Sequence, residues 1–335
     1  MDPELRRDIV DLGMVRDLEV KDGKARFTLA LTTKACPMQN TMLQDARQKL
    51  LALEGVDDVD IEVGEMTPEE KEAVFGNQDA DAYQAEALNE IKHVVAVMSG
   101  KGGVGKSLVA GLLAVGLRER GLKVGVLDAD ITGPSIPKMF FEEMPRLMNS
   151  PLGILPAESA KGIKIMSINL LLPSEDDAVI WRGPLISSAI KQFWGDVFWQ
   201  ELDVLIVDLP PGTSDPALTV MQGLPVDGVV MVTTPQELAG MVVRKASQMA
   251  DQLNIPVLGL VENMSYVRCP DCGKKINVFG PSHADNVANR LQTPLLGRLP
   301  LDPKIAEYAD EGQIEDYPVD EFAPVVKEIV KTLDE

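Results

Sequence analysis

The chain has 335 residues, of which 45% are hydrophobic, 25% charged and 4% aromatic, with a formal net charge of −20 at pH 7. That length accommodates one large domain or two ordinary ones around a mostly aliphatic core. The charge argues against nucleic acid and anionic membrane as partners, since no run of Lys and Arg forms a basic patch.

No apolar run approaches the roughly 18 residues that span a bilayer, and the N-terminus, MDPELRRDIV, has no apolar segment of signal-peptide type. A cytoplasmic protein is expected. The three cysteines, Cys36, Cys269 and Cys272, are too few for a disulfide framework, and two histidines, His93 and His283, are too few for a histidine-rich metal site.

Residues 1–75 read as a small α+β domain. ARFTLALT (25–32) and VDIEV (59–63) alternate as half-buried strands do, and MQNTMLQDARQKLLAL (38–53) between them has helical spacing. Residues 76–91 are acidic and read as a linker with a lead-in helix. From 92 to 335 the texture changes to short apolar runs: VVAVMS (94–99), VGVLDAD (124–130), IKIMSI (163–168), VLIVDLP (204–210), GVVMVTT (228–234), VLGLV (257–261) and LLGRLP (295–300). Helical patterns, such as 105–120 and 237–253, separate most of them. Strand and helix in alternation predict an α/β fold with a mostly parallel, doubly wound sheet. Ligands in such sheets bind at the carboxyl ends of the strands.

SGKGGVGKS (99–107) lies at one such end and satisfies the P-loop spacing: Gly100, four residues, then Gly105, Lys106 and Ser107. Gly100, Lys101, Gly102, Gly103, Val104 and Gly105 would turn backbone N–H groups onto phosphate oxygens. The helix that follows adds its positive end. Lys106 would reach the outer phosphates, and the Ser107 hydroxyl would meet Mg²⁺. These features predict an ATPase using ATP and magnesium. Lys101 is an extra lysine inside the loop, read either as a surface residue or as a group offsetting transition-state charge, in the same chain or a neighbouring subunit. Asp208 ends an apolar strand and is a candidate magnesium ligand. Asp128 and Asp130 end another, where one would touch the metal and the other orient the attacking water; both are also read as possible turn formers.

Cys269 and Cys272 form a CPDCG pair. Tetrahedral zinc and cubane clusters usually take four protein ligands, so two thiols are half a site. A twofold homodimer would bring a second pair to the same axis. Spacing alone favours zinc. Cys36 precedes Pro37 at a predicted helix start and is read either as a buried thiol or as an additional ligand. Arg182 is read as a loop anchor, Trp194 and Trp199 as core or interface, and His283 as a surface residue.

The KGGVGKS loop resembles the deviant Walker A group of MinD, ParA and the nitrogenase iron protein. DADITGPSIP (128–137), WRGP (181–184), VDLPPGTSD (207–215), VENMS (261–265), CPDCG (269–273) and GRLPLDPKI (297–305) resemble, in order, the Mrp/ApbC iron–sulfur cluster carrier family. DPELRRDIVDLGMV (2–15) and LTTKACPMQN (31–40) resemble the metal–sulfur cluster assembly domain that precedes the ATPase in bacterial Mrp proteins, with a shortened start. The resemblance implies a [4Fe-4S] cluster bridging a homodimer, with zinc as a substitute, and delivery to apo iron–sulfur proteins. It implies that Lys101 crosses the dimer interface, that Asp130 and Asp208 belong to the two switches, and that Asn263 reads adenine with Pro300 packed on the ring. In many relatives threonine follows Ser107, where its hydroxyl meets the α-phosphate. Here Leu108 leaves only its backbone N–H, so binding is expected to persist but weaken. A MinD/ParA-like positioning ATPase and a zinc-stapled regulatory ATPase are the alternatives.

Overall fold

A computed structural model describes residues 9–10, 13–21, 23–31, 39–53, 55–65, 88–131, 133–150, 152–172, 183–213 and 215–334. The chain forms two compact units, residues 1–81 and 82–335.

In the first unit β1 (Val15–Lys21) pairs antiparallel with β2 (Lys24–Leu31), which pairs parallel with β3 (Asp58–Glu65). Helix α1 (Gln39–Leu51) makes the crossover between β2 and β3, as a parallel pair requires. Ala25, Phe27 and Leu29 alternate inward and pack with Val59, Met14 and Ala46 in a small core. Strand β1 is a finding that the sequence reading lacked. Its register slips between Arg16 and Glu19, and most of it is exposed, so no clean alternation marks it.

The second unit runs β4 (Glu90–Ser99), α2 (Lys106–Glu119), β5 (Val124–Asp128), α3 (Ile136–Phe140), β6 (Met148–Ser150), β7 (Gly153–Leu155), β8 (Ala157–Glu158) and β9 (Lys164–Ser167). It continues with α4 (Gly183–Gly195), β10 (Glu201–Asp208), α5 (Asp215–Gly223), β11 (Gly228–Thr233), α6 (Glu237–Gln252), β12 (Val257–Arg268) and β13 (Lys275–Ile276). It ends with α7 (Ala284–Leu291), β14 (Leu295–Pro300), α8 (Pro303–Asp310) and α9 (Ala323–Asp334).

The main sheet has the order β13-β12-β11-β4-β10-β5-β9-β8, with β14 on β12. Its central pairings are parallel, and only β8 and β13 join antiparallel. Side chains of α2, α3, α8 and α9 fill one face, and those of α4 to α7 fill the other. This is the doubly wound α/β architecture that the alternating runs predict, and it has the P-loop NTPase topology. Strands covered on both faces explain why the runs are continuously apolar.

Helix α2 is buried nearly all round because α9 crosses it. A Cβ at Gly116 would lie 2.5 Å from Val326 Cγ2, so glycine is what lets the two helices approach. Glu90 and Ile91 belong to β4 rather than to a lead-in helix. Leu88 and Asn89 precede the strand, and the rest of the expected linker and helix, residues 76–87, falls outside those described. Among the described residues no helix is long and apolar enough to cross a membrane.

Candidate functional site

Strand β4 ends at Ser99, and α2 starts at Lys106. Gly103 and Gly105 adopt φ of 76° and 78° in the loop between them, a conformation that side chains resist. A Cβ at Gly105 would also lie 2.2 Å from Asn263 Nδ2. Gly100 and Val104 are buried, while Gly102 and Gly103 are exposed. The Lys101 ammonium donates to Gln236 Oε1 at 2.7 Å, and the Ser99 hydroxyl donates to the Lys101 carbonyl at 3.0 Å. Leu108 is half-buried and packs on the core.

Three acids converge on the P-loop lysine from neighbouring strand ends. Asp208 closes β10, and its register partner Asp128 closes β5. Lys106, only 6% exposed, holds Asp208 Oδ1 at 2.6 Å and stands 3.9 Å from Asp130 Oδ2. Its ammonium also donates to Ser107 Oγ at 3.3 Å. Asp208 Oδ2 is buried and has no hydrogen-bond partner among the described residues. Burial pushes the Asp208 carboxyl up, against the pull of the Lys106 charge. Burial, then the neighbouring Asp208, pushes Asp128 up to about 8.

The Asp128 carboxylate is already occupied. Oδ1 accepts from the Asp130 N–H at 3.2 Å. Oδ2 accepts from the N–H groups of Ser135 and Ile136 at 3.1 and 3.2 Å and from Ser167 Oγ at 3.2 Å. Asp128 therefore fastens both ends of the loop that carries Asp130. The loop after Asp208 is fastened to the P-loop strand, because the N–H groups of Leu209 and Gly212 donate to the carbonyls of Val97 and Ser99 at 3.1 and 2.9 Å.

Asn263 lies on β12 and reaches the same floor. Its Nδ2 donates to the Val104 carbonyl at 2.9 Å, and its Oδ1 accepts from the Met264 N–H at 2.9 Å. Pro300 closes β14 opposite Tyr266 of β12 and is buried. Thr234 Oγ1, just past β11, is buried without a hydrogen-bond partner among the described residues.

The cysteine pair sits where β12 turns back into β13. The Cys269 N–H donates to the Lys274 carbonyl, and the Gly273 N–H donates to the Cys269 carbonyl, each at 2.9 Å. The result is a tight knuckle after a strand, with no helix start. Cys269 is half-buried and Cys272 exposed, and both are free. Backbone N–H groups of Cys272 and Asp271 hold the Cys269 thiol below the ordinary cysteine range. Ile276, Val278 and Phe279 are exposed beside it. Among the described residues no three His, Cys, Asp or Glu side chains gather as a metal site.

The structure thus brings Lys106, Ser107, Asp128, Asp130, Asp208 and Asn263 to one end of the sheet, and sets Cys269 and Cys272 apart on the continuation of β12. Cys36 and Arg182 lie outside the described residues. Trp199 is core, its indole N–H donating to the Phe193 carbonyl at 3.1 Å. His283 is exposed at the start of α7. Two polar residues escaped the sequence reading. Gln236, which receives Lys101, had no signal. Glu262, buried in β12, had one: a charge inside the apolar run VLGLVENMS.

Residues 90–334 match the family model described as NUBPL iron-transfer P-loop NTPase, and residues 1–63 match the model of iron-sulfur cluster assembly protein. An iron-sulfur cluster carrier protein of Methanocaldococcus jannaschii is 48% identical over 76% of this chain and 89% of its own. One of Deinococcus radiodurans is 42% identical over 99% of this chain and 91% of its own. A solved nucleotide-binding protein from Archaeoglobus fulgidus, in complex with ADP, is 44% identical, with a TM-score of 0.65 over 72% of this chain and 96% of that one. With a family model matching residues 90–334 and relatives above 40% identity over most of its length, the chain belongs to the iron–sulfur cluster carrier family of P-loop NTPases.

Proposed function

We propose that the protein binds and hydrolyses MgATP, assembles a [4Fe-4S] cluster between the Cys269 and Cys272 pairs of a homodimer, and passes it to apo-proteins. The observation that carries this reading is the half-built knuckle. Two free thiols, one of them polarised by backbone N–H groups, stand at an open surface with no third ligand among the described residues. A second copy supplies the other two ligands. The cluster is cargo, held at the surface because it must leave.

In the nucleotide site, Lys106 trades its contact with Asp208 for the outer phosphates. Ser107 and the open Asp208 Oδ2 suit a hard cation that takes oxygen ligands, and magnesium supplies charge neutralisation to the phosphates when bound. Asp130 orients the attacking water. Asp128, expected from the sequence to touch the metal, has its oxygens engaged by four donors, which favours a role in fixing the loop around Asp130. Lys101 leaves Gln236 and reaches the nucleotide of the partner subunit. Leu108 offers its N–H to the α-phosphate, and Asn263 and Pro300 border the adenine.

The test is anaerobic transfer from the reconstituted protein to an apo iron–sulfur enzyme, read as recovered activity. Transfer should depend on MgATP, and should lose that dependence in Lys106→Ala. Identical rate and extent in that variant would contradict the coupling of ATP to transfer.

A further inference from the structure

Strand β12 carries both candidate sites. Asn263 touches the P-loop carbonyl of Val104, and Cys269 follows the last residue of the strand, Arg268. Between them the strand is irregular. Its ladder with β14 shifts register between Glu262 and Tyr266, and Met264 has a φ of 56°, which a residue with a side chain resists.

Glu262 sits at the start of this stretch and is 1% exposed. Its Oε2 accepts from Ser265 Oγ at 2.5 Å, across the irregular turn, and its Oε1 accepts from Ser282 Oγ at 2.9 Å. Arg298 Nε is 3.6 Å from Oε2, donates to Ser282 Oγ at 3.2 Å, and belongs to a guanidinium that also pairs with Asp285. Ser282 marks the far end of the segment that begins at Cys269. A buried carboxylate held by two hydroxyls and one cation is a costly way to fill space, and an amide or an aliphatic side chain would avoid desolvating the charge.

We propose that Glu262 is a positioning residue that transmits nucleotide occupancy at the P-loop to the spacing of Cys269 and Cys272. The proposal rests on the coupling of ATP use to cargo holding. The Ser265 clamp stiffens the irregular turn, so a displacement at Asn263 passes along the strand to residues 266–268 instead of being absorbed. The Ser282 tether makes the far end of the cysteine segment follow the same carboxylate. Both ends of the knuckle then move together.

The test uses the full chain freed of metal by chelation and reads iodoacetamide modification of Cys269 and Cys272 by peptide mass spectrometry. In the wild type the rates should differ about fivefold or more between the nucleotide-free state and a non-hydrolysable MgATP analogue. In Glu262→Gln the ratio should fall to within about twofold of unity, while affinity for ADP changes by less than about threefold. Ser282→Ala removes one hydroxyl and no charge, and should lower the ratio as well, which decides the matter if the glutamate variant folds poorly. An undiminished ratio in the variants, with ADP affinity intact, overturns the role of Glu262 and leaves nucleotide coupling standing. Equal rates in the wild type overturn both.

Discussion

At the P-loop, Lys106 finds its counterion within one chain: it is buried, holds Asp208 and stands near Asp130. At the knuckle, Cys272 is exposed, Cys269 is half-buried, and no third ligand stands nearby among the described residues. Under the proposed function, the contrast follows from what each place would handle. Phosphates are recognised by fixed N–H groups and a buried cation, which work best preorganised and dry. A cluster that has to be handed over needs ligands that reach the surface and a site that opens when its two halves part.

The comparison breaks most sharply at Lys106. Lys106→Ala should reduce ATP hydrolysis by about a thousandfold or more, and leaves Asp208 buried without its cation. Uptake of metal by the cysteines in the absence of nucleotide should remain within about twofold of wild type, because there is then no occupancy to transmit and the partners of Lys106 are Ser107, Asp130 and Asp208, not residues of the knuckle. Loss of both functions together would show that the two ends fold as one.

Gly105→Ala is the next largest change. The added methyl meets Asn263 at 2.2 Å on a backbone at φ 78°, so about 1–3 kcal/mol of local strain is expected. Nucleotide affinity should fall by about tenfold or more. The Asn263→Ala, Gly105→Ala double variant should recover part of the thermal stability that Gly105→Ala loses, read without nucleotide because Asn263 is itself assigned to the adenine, and an absence of recovery would place the clash elsewhere.

The smallest effect is the pH dependence of stability. The Asp128 carboxyl is raised to about 8 in the folded chain from an ordinary value of 3.8. A raised folded value gives stability that is complete below the unfolded value and lost as pH climbs through the folded one. The thermal midpoint should therefore decline between about pH 4 and pH 8 and level off above. Asp128→Asn should flatten this slope at some cost in stability, since an amide has one acceptor oxygen and its NH2 would face at least the Asp130 N–H that Oδ1 now accepts from. An unchanged slope would mean that Asp128 keeps no proton near neutral pH.

Much of the fold was legible because its strands are buried on both faces and read as unbroken runs, from VVAVMS to LLGRLP. The P-loop was legible because its chemistry fixes residue types at fixed spacing. The elements that escaped are those without periodicity: the exposed, slipped β1, and the short edge strands β6, β7, β8 and β13. The length of β12 also escaped. VLGLV marks only its buried start, and the strand continues past the irregular Asn263–Met264 step to Arg268. That continuation joins the nucleotide floor to the cysteines, and no local pattern announces it. The part played by Asp128 was equally hidden. An aspartate at a strand end reads the same whether it faces a metal or three backbone N–H groups and a hydroxyl, and only the folded loop decides.

The most direct measurement is anaerobic reconstitution of the full chain with iron and sulfide, followed by a visible spectrum and metal count for wild type and Cys269→Ala. Broad brown absorbance with about four irons per dimer, absent in the variant, is the predicted result. A colourless protein holding stoichiometric zinc, or full iron loading on a monomer, would contradict a cluster shared between two knuckles.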